Sequence, residues 1–263
     1  MTDAIKPLGS FGWNELGTQD LAAARKFYDA LLNWNIRSSP MEGGGDYPHI
    51  SVDGHDIGGM YQITEEMGGA NVPSHWLGYV AVSDADAIVA RAKELGGSLM
   101  MGPMDIPNTG RIAVLKDPQG AAFALFQSSM GGDKATRDLQ GAPGNFCWFE
   151  LATKDAKAAA AFYSELLGWT AEAMEGGPFP YTLFKLGDYQ VGGMLEMNEQ
   201  WGEVPPHWMS YISVPDCDQS AAKVKELGGQ VCVPPTDIPT VGRFSVINDP
   251  TGGTISLITL AEA

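Results

Sequence analysis

The sequence predicts an α+β protein made of four βαβββ units. Three observations lead to this prediction: the two halves of the chain repeat each other, each half holds two strand–Asp–helix segments, and each helix is followed by short strands with turn residues between them. The 263 residues are enough for two domains of ordinary size. Pairing the units two by two, we expect domains at residues 8–128 and 145–260, joined by a linker at 129–144.

The internal repeat is the strongest of these signals. WNELGTQDLAAARKFYDALLNW at 13–34 and WFELATKDAKAAAAFYSELLGW at 148–169 are identical at twelve of 22 aligned positions. GRIAVLKDPQG at 110–120 matches GRFSVINDPTG at 242–252, so the offset drifts only from 135 to 132 residues. We therefore expect one fold in both halves, with small changes in the loops.

Local signals place the helices and hairpins within each unit. A strand-like run ends four times at an aspartate that is a suitable helix N-cap, at Asp20, Asp84, Asp155 and Asp216. Gly96 follows the last turn of the second helix, where a C-terminal glycine is expected. Asp53-Gly54 and the run from Asp117 to Gly120 each lie between two strand-like segments, which predicts a hairpin at each place.

Composition excludes several classes of function. Lys and Arg total 16 against 32 Asp and Glu, a formal charge of −16, which disfavours nucleic acid and anionic membrane as partners. No apolar run is long enough to span a bilayer, and the N-terminus lacks a signal-peptide pattern, so we expect a cytoplasmic protein. Three widely spaced cysteines predict neither a disulfide framework nor a metal pair.

Four units in this order, with FY at 27–28 and 162–163 and DPxG at 117–120 and 249–252, resemble the vicinal oxygen chelate superfamily of glyoxalase I, extradiol dioxygenases and bleomycin-resistance proteins. The resemblance covers nearly the whole chain. It implies that two units curve their sheets into a half-open barrel around a cavity, and that each half forms one such cup. It also implies a small-molecule ligand and, in catalytic members, one divalent metal held by His, Glu or Gln.

The positions that the resemblance assigns to metal ligands carry none of these residues. They are Trp13, Leu77, Trp148 and Met209 on the first strands and Gly58, Ala124, Gly192 and Ser256 on the last strands. These side chains are not the carboxylates and imidazoles that hold divalent ions. We therefore predict no metal ligands and no cofactor. A divalent metal held by a displaced set that includes Glu15 and His75 is the alternative.

Strand alternation gives the candidate catalytic residues. Residues i and i+2 share a face, so Glu15 lies on the face of Trp13, and Glu150 on that of Trp148. A carboxylate among apolar walls has a raised pKa and can serve as a general base, so Glu15 and Glu150 are the predicted catalytic residues. Alternatively, Glu15 and Tyr79 hydrogen-bond each other and only fill the interior of the barrel.

Ten further residues are predicted to bind the ligand, in five repeat-related pairs: Trp13 and Trp148, Met60 and Met194, His75 and His207, Tyr79 and Tyr211, and Arg111 and Arg243. Aromatic and aliphatic walls with a few polar groups are typical of small-molecule sites, and the arginines could hold an anionic group. Structural readings stay open: the histidines lie half exposed at a strand edge, the arginines brace the preceding loop through backbone carbonyls, and the methionines are core.

Three classes of function follow. The first is a glyoxalase-like or bleomycin-resistance-like protein that binds or transforms a small organic molecule without the usual metal site. The second is a metal-dependent lyase, isomerase or dioxygenase. The third is a scaffold that binds another protein. The expected partner is a small molecule, with a monomer or homodimer as the assembly. Fold alone does not choose among these classes.

Overall fold

The computed structural model describes residues 6–40, 45–129, 141–174 and 179–261. These residues form four α-helices and sixteen strands. The first half contains β1 Phe11–Thr18, α1 Leu21–Leu32, β2 Asn35–Pro40, β3 Asp46–Val52, β4 His55–Gln62, β5 His75–Ala81, α2 Ala85–Glu94, β6 Ser98–Ile106, β7 Gly110–Lys116 and β8 Ala122–Ser128. The second half contains β9 Phe146–Thr153, α3 Ala156–Leu167, β10 Thr170–Ala173, β11 Thr182–Leu186, β12 Tyr189–Glu196, β13 His207–Ser213, α4 Cys217–Glu226, β14 Gln230–Ile238, β15 Gly242–Asn248 and β16 Thr254–Leu260.

The predicted order of strand, helix and three strands is confirmed four times. One sheet has the order β2-β3-β4-β1-β5-β8-β7-β6, and the other has the order β10-β11-β12-β9-β13-β16-β15-β14. The strands of each half thus form one eight-stranded sheet. The central strand β1 runs parallel to β4, whereas β3 and β4 form an antiparallel hairpin. The α+β prediction of two domains built from four units is correct.

The helices begin where the aspartates predict. The side chain of Asp20 accepts a hydrogen bond from the backbone N–H of Ala23, and the other three caps accept the equivalent bond, at Asp84, Asp155 and Asp216. Each cap satisfies one of the N–H groups that a helix start leaves without a partner. The hairpin between β3 and β4 turns at Asp53 and Gly54, both with positive φ, as the sequence predicts.

The described residues fall into two compact units that cross the repeat. One lies within Met1–Trp13, Gly78–Asp138 and Trp148–Met209, and the other lies within Asn14–Leu77, Leu139–Cys147 and Ser210–Ala263. The domain limits 8–128 and 145–260 stay predictions. Most of the predicted linker at 129–144, namely residues 130–140, lies outside the described residues. No helix in the described part of the chain is long and apolar enough to cross a membrane.

The same hydrogen-bonded chain stands at the centre of each unit. In one unit the indole N–H of Trp76 donates to the Tyr28 hydroxyl at 2.8 Å, and this hydroxyl donates to Asp249 Oδ2 at 3.0 Å. In the other, Trp208 donates to Tyr163 at 2.8 Å, and Tyr163 donates to Asp117 Oδ2 at 3.1 Å. Both tyrosines are fully buried. Each chain satisfies a phenol, an indole and a carboxylate together, as burial of polar groups requires.

Candidate functional site

Glu15 lies on β1 with its side chain half buried on the face opposite α1. The neighbours Asn14 and Leu16 are buried on the other face, as strand alternation requires. The hydroxyl of Tyr47, from β3, donates a hydrogen bond to Glu15 Oε1 at 2.5 Å. The carboxylate of Glu15 is therefore held by a phenol that comes from two strands away in the sheet.

A glycine on the strand between them allows this contact. Gly59 of β4 is in register with Glu15 on one side and with His49 on the other. A Cβ added at Gly59 would collide with the Tyr47 hydroxyl. The ring of Tyr47 therefore lies across the bare backbone of β4 to reach Glu15. A glycine within a strand often marks such a close approach.

The second half repeats the pairing of a phenol with the glutamate. The indole N–H of Trp148 donates to the Tyr181 hydroxyl at 2.8 Å, and this hydroxyl donates to Glu150 Oε2 at 2.9 Å. Gly193 is in register with Glu150, and a Cβ there would collide with Tyr181. Burial, and then the charge of Glu150, raise the pKa of Tyr181 well above its ordinary value. Tyr181 therefore keeps its proton and donates a hydrogen bond to the carboxylate.

Each predicted histidine is fixed through one ring nitrogen. Nδ1 of His75 lies 2.8 Å from the carbonyl oxygen of Pro73, and Nδ1 of His207 lies 2.9 Å from that of Pro205. A carbonyl oxygen only accepts, so Nδ1 carries the proton in both rings. In the neutral ring Nε2 then carries the lone pair. Both histidines are half buried, and each presents an acceptor nitrogen in a set orientation.

The predicted arginines are already paired with carboxylates. Arg111 contacts both oxygens of Asp86, at 2.6 and 3.0 Å, and Asp105 at 2.8 Å. Arg243 contacts Asp218 and Asp237 with the same distances. Hydrogen bonding to Arg111 lowers the pKa of Asp86. These partners are carboxylates at the start of a helix and on the adjacent strand, rather than the backbone carbonyls of the structural reading.

Met60 and Met194 lie on the other face of the sheet from the glutamates. Met60 is in register with Leu16 and fully buried, and Met194 is in register with Leu151 and nearly so. Because side chains alternate along a strand, neither methionine lines the wall that carries Glu15 or Glu150. The reading of these two residues as core fits this placement. They are therefore not part of the candidate site around the glutamates.

Tyr79 and Tyr211 are buried on their strands. Tyr79 is in register with Ala124, and Tyr211 is in register with Ser256. The phenols of Tyr47 and Tyr181 donate to the two glutamates, and the sequence interpretation missed both of them. A signal was present, because a tyrosine follows the glycine-rich segment of each half. A third missed phenol, Tyr61, lies across Gly17 beside Glu15.

The donor set at the family's usual metal positions does not fit a divalent ion. Gly58 is in register with Asn14, and Gly192 precedes Gly193, which is in register with Glu150, so both glycines lie on the face of the sheet away from the glutamates. The residues that face the glutamates on these strands are Gly59 and Gly193, which have no side-chain donor either. Within residues 6–40, 45–129, 141–174 and 179–261, no group of three or more His, Cys, Asp or Glu side chains is placed to hold a metal ion.

Comparison with known proteins is consistent with this architecture. A sequence model of the Glyoxalase/Bleomycin resistance protein/Dioxygenase superfamily matches residues 10–125 and 146–257. A mycobacterial protein named "Putative glyoxylase CFP32" (Mycobacterium tuberculosis) is 37% identical over 254 residues, which cover 95% of this chain and 94% of that protein. The anthracycline biosynthesis protein DnrV of Streptomyces peucetius is 36% identical over 266 residues, covering 97% and 94%.

Solved structures share the fold at low sequence identity. The 2,3-dioxygenase LapB from Pseudomonas sp. KL28 superposes with a TM-score of 0.63 at 12% identity, covering 98% of this chain and 94% of that one. The Mn(II)-bound glyoxalase from Novosphingobium aromaticivorans gives a TM-score of 0.63 at 16% identity, covering 97% and 83%. At these identities the likeness concerns the fold alone.

Proposed function

Because this chain belongs to the glyoxalase/bleomycin resistance protein/dioxygenase superfamily, we propose that each half binds a small organic molecule and that Glu15 and Glu150 act on it as general bases. The observation that carries the proposal is the repeated phenol–carboxylate pair laid over a glycine. Each pair is partly buried on the sheet face away from the helix. The names of the mycobacterial and Streptomyces relatives support a small organic ligand.

The chemistry that such a pair supports is proton removal from carbon next to a carbonyl group. A carboxylate can accept about four hydrogen bonds, so one that accepts from a phenol can also accept from a ligand. The phenol fixes its orientation, and a positioned general base contributes roughly 10²–10⁴-fold to such a step. The aromatic rings of Trp13 and Trp148, two residues before each glutamate, offer flat apolar surfaces to the ligand.

Replacing Glu15 and Glu150 together by glutamine tests the proposal. We expect the double variant to stay folded and to lose at least about a hundredfold in base catalysis, since an amide does not take up a proton. The measurement is proton–deuterium exchange at the methyl group of ortho-hydroxyacetophenone in heavy water, followed by proton NMR. Glu199→Gln, an exposed change outside both sites, is the matched control and should exchange at the parent rate.

Two results would contradict this role. Unchanged exchange in the double variant would remove the glutamates as bases. Absence of any ligand-induced rise in melting temperature across small aromatics, aldehydes and thiol adducts would remove the small-molecule site, since a bound ligand stabilises by mass action. The second result would favour the scaffold function.

We also propose that the protein works without the family's usual metal site. The glycine, tryptophan and leucine side chains at those positions support this proposal. Metal analysis of protein purified without added ions should find less than about one tenth of an equivalent of divalent metal, and chelation should leave ligand-induced stabilisation unchanged. A tightly held equivalent of divalent metal would overturn the proposal.

One observation favours the metal-dependent lyase, isomerase or dioxygenase as the second candidate. His75 and His207 donate from Nδ1 to a backbone carbonyl, and histidines that ligate metals through Nε2 are commonly held in this way. If a displaced ligand set that includes Glu15 and His75 binds Mn²⁺, addition of Mn²⁺ would raise the thermal stability of the protein. His75→Gln would remove this effect.

Location and assembly are further parts of the proposal. We propose a cytoplasmic protein, monomeric or homodimeric, that acts on small molecules rather than on nucleic acid or membranes. The formal charge of −16 supports the exclusion of nucleic acid and membranes, because phosphate backbones and anionic lipids are repelled by such a surface.

A further inference from the structure

The two halves differ by a matched pair of residues beside the glutamate. On β1 the residue two after Glu15 is Gly17, where β9 carries Ala152. On β4 the residue two after Gly59 is Tyr61, where β12 carries Leu195. Gly17 is in register with Tyr61, and Ala152 is in register with Leu195. At this place the N-terminal half therefore has a glycine–tyrosine pair, and the C-terminal half has an alanine–leucine pair.

The glycine makes room for the tyrosine. A Cβ at Gly17 would lie 2.6 Å from the Tyr61 hydroxyl oxygen, which is too close for two non-bonded atoms. The same added atom would lie 3.0 Å from Cε1 of His75. The Tyr61 hydroxyl and the His75 ring therefore meet over the bare backbone of Gly17, on the face that carries Glu15.

The Tyr61 hydroxyl is a donor. Burial, followed by the charge of Glu15, raises the pKa of Tyr61 to about 12, so the hydroxyl keeps its proton at neutral pH. Among the residues that the structure describes, none accepts a hydrogen bond from it. Next to it, His75 presents Nε2 as an acceptor, because Nδ1 donates to Pro73. A partly buried donor that has no partner among the described residues is stabilised by an acceptor oxygen on a ligand.

We propose that Tyr61 makes the N-terminal half selective for ligands in which a carbonyl oxygen stands next to a hydroxyl group on an aromatic ring. The carbonyl oxygen accepts a hydrogen bond from Tyr61, and the hydroxyl group donates to Glu15 or to Nε2 of His75. The C-terminal half has Leu195 at this place and binds aromatic ligands without this preference. The inference rests on the proposed function, because it requires the ligand to lie against Glu15.

Tyr61→Phe tests the inference, with two probes that differ only in the carbonyl group. Isothermal titration should show that the N-terminal half of the variant binds ortho-hydroxyacetophenone about five- to tenfold more weakly, the value of one hydrogen bond from a neutral donor. Binding of ortho-ethylphenol, which lacks the carbonyl oxygen, should stay within about twofold. The matched change in the other half, Ala152→Gly with Leu195→Tyr, should give the C-terminal half the same preference for the ketone.

The outcomes separate this inference from the proposed function. If both probes bind and Tyr61→Phe weakens them equally or not at all, selectivity by Tyr61 is wrong while the small-molecule site stands. If neither probe binds the parent protein, this inference is wrong, and so is the proposal that the site binds small molecules of this class. If Glu15→Gln weakens binding of the ketone to the N-terminal half and Tyr61→Phe weakens it selectively, both are supported. An unchanged urea midpoint for Tyr61→Phe shows that the fold is intact.

Discussion

Replacing Tyr28 or Tyr163 by phenylalanine is expected to lower the free energy of unfolding by about 2–4 kcal/mol each. The change keeps the ring and removes a hydroxyl that both accepts from an indole N–H and donates to a buried carboxylate. The variant Tyr163→Phe leaves Trp208 without its acceptor and Asp117 with its backbone donors only. Typical proteins are stable by only about 5–15 kcal/mol, so the double variant should be close to unfolding.

Urea unfolding followed by circular dichroism measures this loss. Thr170→Ala is the control, because its hydroxyl makes an exposed and long hydrogen bond of 3.4 Å, and surface changes usually stay within about 0.5 kcal/mol. A loss below about 1 kcal/mol in both tyrosine variants would mean that the buried chains of hydrogen bonds do not stabilise the two units.

The loss in Tyr163→Phe should also depend on pH. Burial raises the pKa of Asp117 above its ordinary value, and the hydrogen bond from Tyr163 acts in the opposite direction. Removing the hydroxyl therefore raises the folded-state pKa of Asp117 further. A group whose pKa is higher in the folded state favours folding at low pH and loses that contribution as pH rises through the folded pKa. The stability difference between parent and variant should grow from acidic to neutral pH, and a constant difference would contradict this account.

Gly59→Ala and Gly193→Ala are expected to release Tyr47 and Tyr181 from the glutamates. The added methyl group collides with the hydroxyl end of the ring in each case. Because the ring can rotate away while the strand backbone cannot move, the hydrogen bond to Glu15 or Glu150 is broken. We expect ligand binding to fall about tenfold, and stability to fall by about 1–3 kcal/mol as in other overpacked sites.

A double-mutant cycle separates the collision from other effects of the methyl group. In the background of Tyr47→Ala, the ring is gone, so Gly59→Ala should cost almost nothing. The same holds for Gly193→Ala in the background of Tyr181→Ala. Additive costs in either cycle would show that the glycine does not serve to seat the tyrosine.

Short-range features were predictable because neighbouring residues alone decide them. An aspartate before a helix caps it through a hydrogen bond three residues away, and the Asp53-Gly54 turn needs only the backbone freedom of its own residues. Because the chain repeats, each of these local signals occurs more than once, which strengthens the prediction. Alternation along one strand likewise placed Glu15 and Glu150 on the half-buried face that their sequence context indicates.

The partners of the glutamates could not be predicted in this way. Tyr47 reaches Glu15 only because β4 lies between β3 and β1 and because its facing residue is Gly59. Alternation gave the face of each strand, but register between strands decides which side chains meet. For the same reason the sequence predicts Met60 as a ligand-binding residue, whereas its register with Leu16 places it in the core.

By itself, the sequence determined four βαβββ units, their helix starts and hairpins, and the family to which they belong. These features arise from local backbone preferences and from the internal repeat, and both can be recognised in the amino-acid sequence. Only the tertiary structure decided which residues complete the site and the core. Tyr28 binds Asp249 across 221 positions of the chain, and Tyr61 crosses Gly17 because two strands are parallel and in that register. Such contacts depend on strand order and register, which no local pattern encodes.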